Sequence, residues 1–216
     1  MSGPRQEHGL VEGAAGNIEV FMNPVDAQTE ARGVALIAHP HPLFGGTAEN
    51  KVVTTLAKAL GELGYITLRP NFRGVGASSG SHDQGVGESD DLLAVHAYAR
   101  TLLPGAPVVL AGYSFGAYVT TRLAQMLAAQ GQAAQRLILV GMAAGVVPGA
   151  RSYDAPAVPA DTLVIHGDVD DTVPLANVLA WARPQELPVV VIPGADHFFH
   201  RKLHLLRAIV HNAWHS

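Results

Sequence analysis

The chain has 216 residues, 48% hydrophobic and 15% charged, which excludes a disordered protein and predicts one large domain, residues 1–216, with a sizeable buried core. A formal net charge of −4 without any basic run excludes a nucleic-acid surface, and the lack of cysteine excludes a disulfide framework and a thiolate nucleophile. The start, MSGPRQEHGLVEG, has no apolar run of the secretory kind, and the longest uncharged apolar tract, 137–150, is too short for a bilayer, so a soluble, cytoplasmic protein with no membrane partner is expected.

Asn17 to Met22 (NIEVFM) alternates weakly and predicts an early antiparallel strand. Gly33 to Ala38 (GVALIA) is continuously apolar, the pattern of a strand covered on both faces. Val52, Leu56, Leu60 and Leu63 have helical spacing, which predicts a helix over 48–63 with Gly64 as its stop. A strand over Tyr65 to Leu68, a helix over Asp90 to Leu103, a strand over Val108 to Ala111 and a helix over Ala117 to Ala129 follow. Further strands are expected at Arg136 to Val140, Thr162 to Ile165 and Val189 to Ile192, with helices at Leu175 to Ala182 and Lys202 to Trp214. This alternation predicts an α/β fold: three layers, α/β/α, around a mostly parallel, doubly wound sheet. Right-handed crossovers then place every strand's C-terminal end on one edge, so function belongs to the loops after the strands.

Four of those loops carry chemistry. Gly112-Tyr113-Ser114-Phe115-Gly116 fits G-x-S-x-G between a strand and a helix. A serine on so tight a turn pushes its Oγ out of the sheet edge, and the flanking glycines avoid a Cβ clash with neighbouring backbone. A serine nucleophile needs a base, and the base needs an orienting acid. His166 to Pro174 (HGDVDDTVP) offers Asp168, Asp170 and Asp171; Gly194 to His200 (GADHFFH) offers Asp196, His197 and His200. The chain order Ser, Asp, His suits such a sheet edge. His200 falls where a helix is starting and is expected to face solvent. The loop His39 to Thr47 (HPHPLFGGT) would supply one oxyanion amide; Pro40 and Pro42 have no N–H, which leaves His41, Leu43 or Phe44. The other amide would be that of Phe115, the residue after the serine.

HPHPLFGG with Asn50-Lys51, NFRGVGASSG from Asn71, GYSFGAY, HGDVDDTVP and DHFF together resemble the small, lid-less serine α/β-hydrolases of the dienelactone-hydrolase-like group, over nearly the whole chain. The resemblance implies an α/β-hydrolase fold in minimal form, with Asp170 as acid, His197 as base and the His41 amide as second oxyanion donor. Dienelactone hydrolases proper use cysteine; the serine here separates this chain from that activity. The segment from Gly141 to Asp161, where many relatives insert a lid, is short and rich in Pro and Gly, which predicts an open site. Phe44, Tyr113 and Phe198 are the expected substrate-binding residues, with Phe115, Tyr153 and Phe199 as further candidate walls.

The expected function is hydrolysis of small soluble carboxylic esters or thioesters through an acyl-enzyme, with no cofactor and no metal. Peptidase or acyltransferase chemistry on the same residues, and a non-catalytic binding protein on a hydrolase scaffold, are the competing readings. His39-x-His41 and the i, i+3, i+7 set His197, His200, His204 have spacings a metal site can use, but no carboxylate cluster accompanies the first pair. His39 is expected to brace its loop. Arg73 is read as a loop tie, and Glu88, Asp90 and Asp91 as carboxylates suited to a helix start.

Overall fold

The structure, a computed structural model, describes residues 6–26, 28–149 and 151–214. Its strands are β1 (Glu7–Gly13), β2 (Gly16–Asn23), β3 (Gly33–Ala38), β4 (Tyr65–Pro70), β5 (Val108–Tyr113), β6 (Arg136–Val140), β7 (Gly145–Val146), β8 (Ser152–Tyr153), β9 (Leu163–Gly167) and β10 (Val189–Ile192). The α-helices are α1 (Lys51–Glu62), α2 (Val86–Leu102), α3 (Phe115–Ala129), α4 (Leu175–Ala182) and α5 (Leu203–Asn212). Eight strands form one sheet in the order β1-β2-β4-β3-β5-β6-β9-β10; it is parallel from β4 to β10, and β2 runs antiparallel to both its neighbours.

The period of two along each buried strand builds two cores, one on either side of the sheet. Val34 and Leu36 of β3, Leu110 of β5 and Leu139 of β6 face α2, α3 and α4, where Leu92, Leu123 and Val178 meet them. Ala35, Ile37, Val109 and Ile138 point the other way, onto Val53, Leu56 and Leu60 of α1 and Leu206 and Val210 of α5. Each such aliphatic side chain contributes about 1.5–3 kcal/mol when fully buried, so β3 and β5, buried at every position, anchor the sheet. This is the expected three-layer α/β/α architecture.

Several boundaries depart from the sequence reading, and at three of them the contacts give the reason. Glu7–Gly13, left unassigned above, is an edge strand paired with β2 in register from Glu7↔Met22 to Gly13↔Gly16. Most of its residues are exposed, so it carries no hydrophobic signal. Helix α2 begins at Val86, four residues before the expected start, because Glu88 accepts the Gly85 and Asp83 N–H groups and Asp83 accepts that of Gly87. Glu88, Ser89 and Asp91 are buried, which hides the apolar period over the helix's first turns. Helix α1 begins at Lys51, where the Asn50 side chain accepts the Val52 N–H at 2.8 Å. Between β6 and β9 the described residues form only the short antiparallel pair β7–β8. Among the described residues no helix is long and apolar enough to cross a membrane.

Candidate active site

Ser114 sits between β5 and α3 with φ 55° and ψ −121°, a positive φ that costs a non-glycine residue about 1–3 kcal/mol. The surroundings hold it there: its N–H donates to Val140 O, and its carbonyl accepts from Ala117 and Tyr118 at the helix start. A Cβ on Gly112 would lie 2.5 Å from Gly116 O, and one on Gly116 only 2.3 Å from His39 O. Both glycines are therefore required by backbone approach, the reason inferred from the pentad itself.

The turn brings Ser114 Oγ to 3.0 Å from His197 Nε2, and His197 Nδ1 lies 2.8 Å from Asp170 Oδ2. Because the carboxylate only accepts, Nδ1 carries the proton and Nε2 is left to accept from the serine hydroxyl. All three residues are buried, with 8% or less of their surface exposed. Of the three aspartates left open by spacing, Asp170 is the one on His197. Its other oxygen accepts the N–H groups of Thr172 at 3.0 Å and Val173 at 2.7 Å, an Asx-type turn that aims the carboxylate. Asp168 accepts the Gly194 N–H at 2.6 Å and so links the aspartate loop to the histidine loop. Asp171 is exposed. His200 is exposed as well and pairs with Asp196, three residues before the start of α5.

Two supports were not anticipated. Tyr113 donates its hydroxyl to His197 O at 2.9 Å, and burial pushes that phenol well above its ordinary range, so it stays a donor. His166 lies beneath the aspartate, its Nε2 donating to Val173 O at 2.9 Å while burial lowers its basicity. No spacing rule marks either contact; both join residues far apart in the chain or a side chain to a backbone carbonyl.

The opposite wall is the loop after β3. Pro42–Phe44 forms a 3-10 turn in which the Leu43 N–H donates to His41 Nδ1, and Phe44 and Gly46 donate to His41 O. Of the three donors allowed by the prolines, Leu43 and Phe44 are thus engaged, and the His41 N–H has no partner among the described residues. The Phe115 N–H, first in α3, is free in the same way. His39 braces this loop: its Nδ1 donates to Pro40 O at 2.6 Å and its Nε2 accepts the Phe72 N–H at 2.9 Å. With both nitrogens engaged it has no lone pair for a metal, and burial pushes its pKa down to about 4.

A family model described as the alpha/beta hydrolase fold matches residues 43–148. An α/β serine hydrolase without a lid, from Xanthomonas campestris, is 38% identical with a TM-score of 0.86, covering 97% of this chain and 93% of its own. This chain belongs to the α/β-hydrolase family. An α/β serine hydrolase homologue from Coxiella burnetii is 40% identical with a TM-score of 0.82, over 95% of this hydrolase and 96% of its own chain. An uncharacterised protein of Rickettsia prowazekii is 34% identical over 85% of this chain and 83% of its own.

The hydrolase opens at Ser114 into a cleft of about 170 Å³, lined by His41, Phe44, Tyr113, Thr172, His197 and Phe198 among others. Phe44 and Phe198 stand exposed at its mouth. The remaining candidate walls lie elsewhere. Phe199 is wholly buried in the core beside α1 and α5, and the Phe115 ring packs among Phe72, His41 and Tyr153. The Phe115 ring is therefore not among the residues that line the cleft. Arg73 makes a two-pronged contact with the buried Asp91, at 2.7 and 2.8 Å, and donates to Gly87 O. It is a tie between the β4 loop and α2, and Asp91 is its partner more than a helix-dipole residue.

Proposed function

We propose that this hydrolase cleaves small carboxylic esters or thioesters through an acyl-enzyme on Ser114. The observation that carries the reading is the continuous line Ser114 Oγ, His197, Asp170, with gaps of 3.0 and 2.8 Å. His197 Nε2 takes the hydroxyl proton as Oγ attacks the ester carbonyl, and Asp170 stabilises the imidazolium that forms. The carbonyl oxygen becomes an oxyanion between the free Phe115 and His41 amides. Each is worth about 3 kcal/mol of barrier, because it is already oriented before charge develops. His197 then returns the proton to the departing alkoxide or thiolate, and the tetrahedral adduct collapses to the acyl-serine. Water, deprotonated by the same imidazole, attacks the acyl carbon and releases the acid. No step needs a cofactor. The short β7–β8 connection in place of a lid leaves the cleft open, which favours small, freely diffusing esters.

The test is a p-nitrophenyl ester series of increasing acyl length, run on wild type and Ser114→Ala, beside labelling with a fluorophosphonate. Labelling at Ser114 with turnover only in wild type is the expected result. A wild type that is neither labelled nor faster than Ser114→Ala on any ester would overturn the reading.

A further inference from the structure

A second depression of about 250 Å³ adjoins the cleft and is lined by His41, Leu43, Phe44, His82, Arg151 and Tyr153, with Gln84. The two share His41 and Phe44, so they meet at the tip of the oxyanion loop. The groove has none of His197, Thr172 and Phe198, which line the cleft. In the tetrahedral adduct the leaving group must face His197 and the oxyanion must face the two amides. The direction that remains, past His41 and Phe44, belongs to the acyl chain. Leu43 and Phe44, both largely exposed, give that path apolar sides.

At its other end lies Arg151. The guanidinium carbon is 4.7 Å from the Tyr153 ring centroid and 5.6 Å from that of Tyr118, which holds the planar group on an aromatic shelf. Gln84 accepts from it through its carbonyl and side-chain oxygens, and Nε is buried with no hydrogen-bond partner. No carboxylate lies within ion-pair distance of Arg151 among the described residues, in contrast to Arg73 on Asp91. Glu88, the acid that acts electrostatically on His41, is wholly buried: it accepts the Asp83 and Gly85 amides, and His82 Nδ1 stands 2.8 Å from it. His41 adds no charge, since burial, with His82 and Arg151 nearby, pushes its imidazole down to about 4. The groove therefore presents at the end of an apolar path a guanidinium held by Gln84 and the aromatic shelf, with no carboxylate partner among the described residues.

We propose that Arg151 receives a carboxylate at the far end of the acyl chain, so that the preferred substrates are monoesters of dicarboxylic acids. The proposal rests on the esterase reading for the position of the acyl chain. A planar fork held flat matches a carboxylate, and its fixed orientation reduces the entropy lost on binding.

The experiment compares mono-p-nitrophenyl esters of the dicarboxylic acids from succinate to suberate with neutral p-nitrophenyl alkanoates of equal length. Wild type is expected to prefer the carboxylate-bearing ester at one chain length. In Arg151→Gln the ratio of kcat/KM for charged over neutral ester falls roughly tenfold, through KM, as loss of a charge-assisted contact near the surface implies. Arg151→Lys restores part of the ratio, and raised salt lowers it in wild type only. A ratio unchanged in Arg151→Gln, with Ser114-dependent turnover intact, overturns the carboxylate site and leaves the esterase reading standing. A separate arm titrates Ser114→Ala and Ser114→Ala/Arg151→Gln with monomethyl adipate, followed by NMR. Weaker binding to the double variant supports the site even if no ester is turned over; equal binding, or none to either, overturns it.

Discussion

The two walls of the cleft are built on different principles. The proposed acid–base wall consists of side chains, Ser114, His197 and Asp170, delivered by three loops and tied to one another, with Asp170 further held by two backbone amides. The proposed oxyanion wall consists of backbone, the His41 and Phe115 amides, and its essential feature is that these donors have no partner among the described residues. A side-chain constellation declares itself through residue types and order. A backbone donor has no residue type, so only the surrounding conformation reveals it.

The sharpest way to break the acid–base wall is Ser114→Ala, which is expected to lower kcat on the order of a million-fold while the melting temperature stays close to wild type. Asp170→Asn keeps the shape but lets the histidine adopt the wrong tautomer, and should cost about 10⁴-fold in kcat in steady-state assays on the same ester. The oxyanion wall yields to a backbone change instead. His41 has φ −56°, close to the value proline imposes, so His41→Pro removes the N–H with little distortion. A fall of about 10²–10³ in kcat is expected, whereas His41→Ala, which keeps the amide, should retain most activity. Similar losses in both variants would show that the ring matters and the amide does not.

The smallest effect concerns what holds the oxyanion loop. His39 is buried as a neutral tautomer, with its pKa lowered from 6.5 to about 4. Between those values the unfolded chain binds a proton that the folded chain refuses, so stability is full above the upper value and declines as pH falls toward the lower one. From pH 7 to pH 5 this one group should remove roughly 2 kcal/mol of stability. Urea unfolding of wild type and His39→Asn at both pH values checks it: the variant starts less stable but loses that much less on acidification.

Much of this was legible beforehand. The apolar runs of β3, β5 and β6 and the pentad around Ser114 carry their own signals, because burial on both faces demands continuous aliphatics and a tight strand-to-helix turn demands glycine on either side. The edge strand β1 gave none, since its side chains are largely exposed, and the buried polar Glu88, Ser89 and Asp91 masked the start of α2. Among the site residues, the serine and the two loops that accompany it could be named from order alone.

Sequence by itself determined the parallel sheet, the edge on which the chemistry lies and the short set of residues able to perform it, because these follow from periodicity and from what hydroxyl, imidazole and carboxylate groups can do. Choosing Asp170 over its neighbours, moving the Phe115 and Phe199 rings out of the cleft, and leaving the His41 amide without a partner and Arg151 without an acid among the described residues belonged to the tertiary structure. Each depends on hydrogen bonds and contacts between segments distant in the chain, and local spacing holds no record of them.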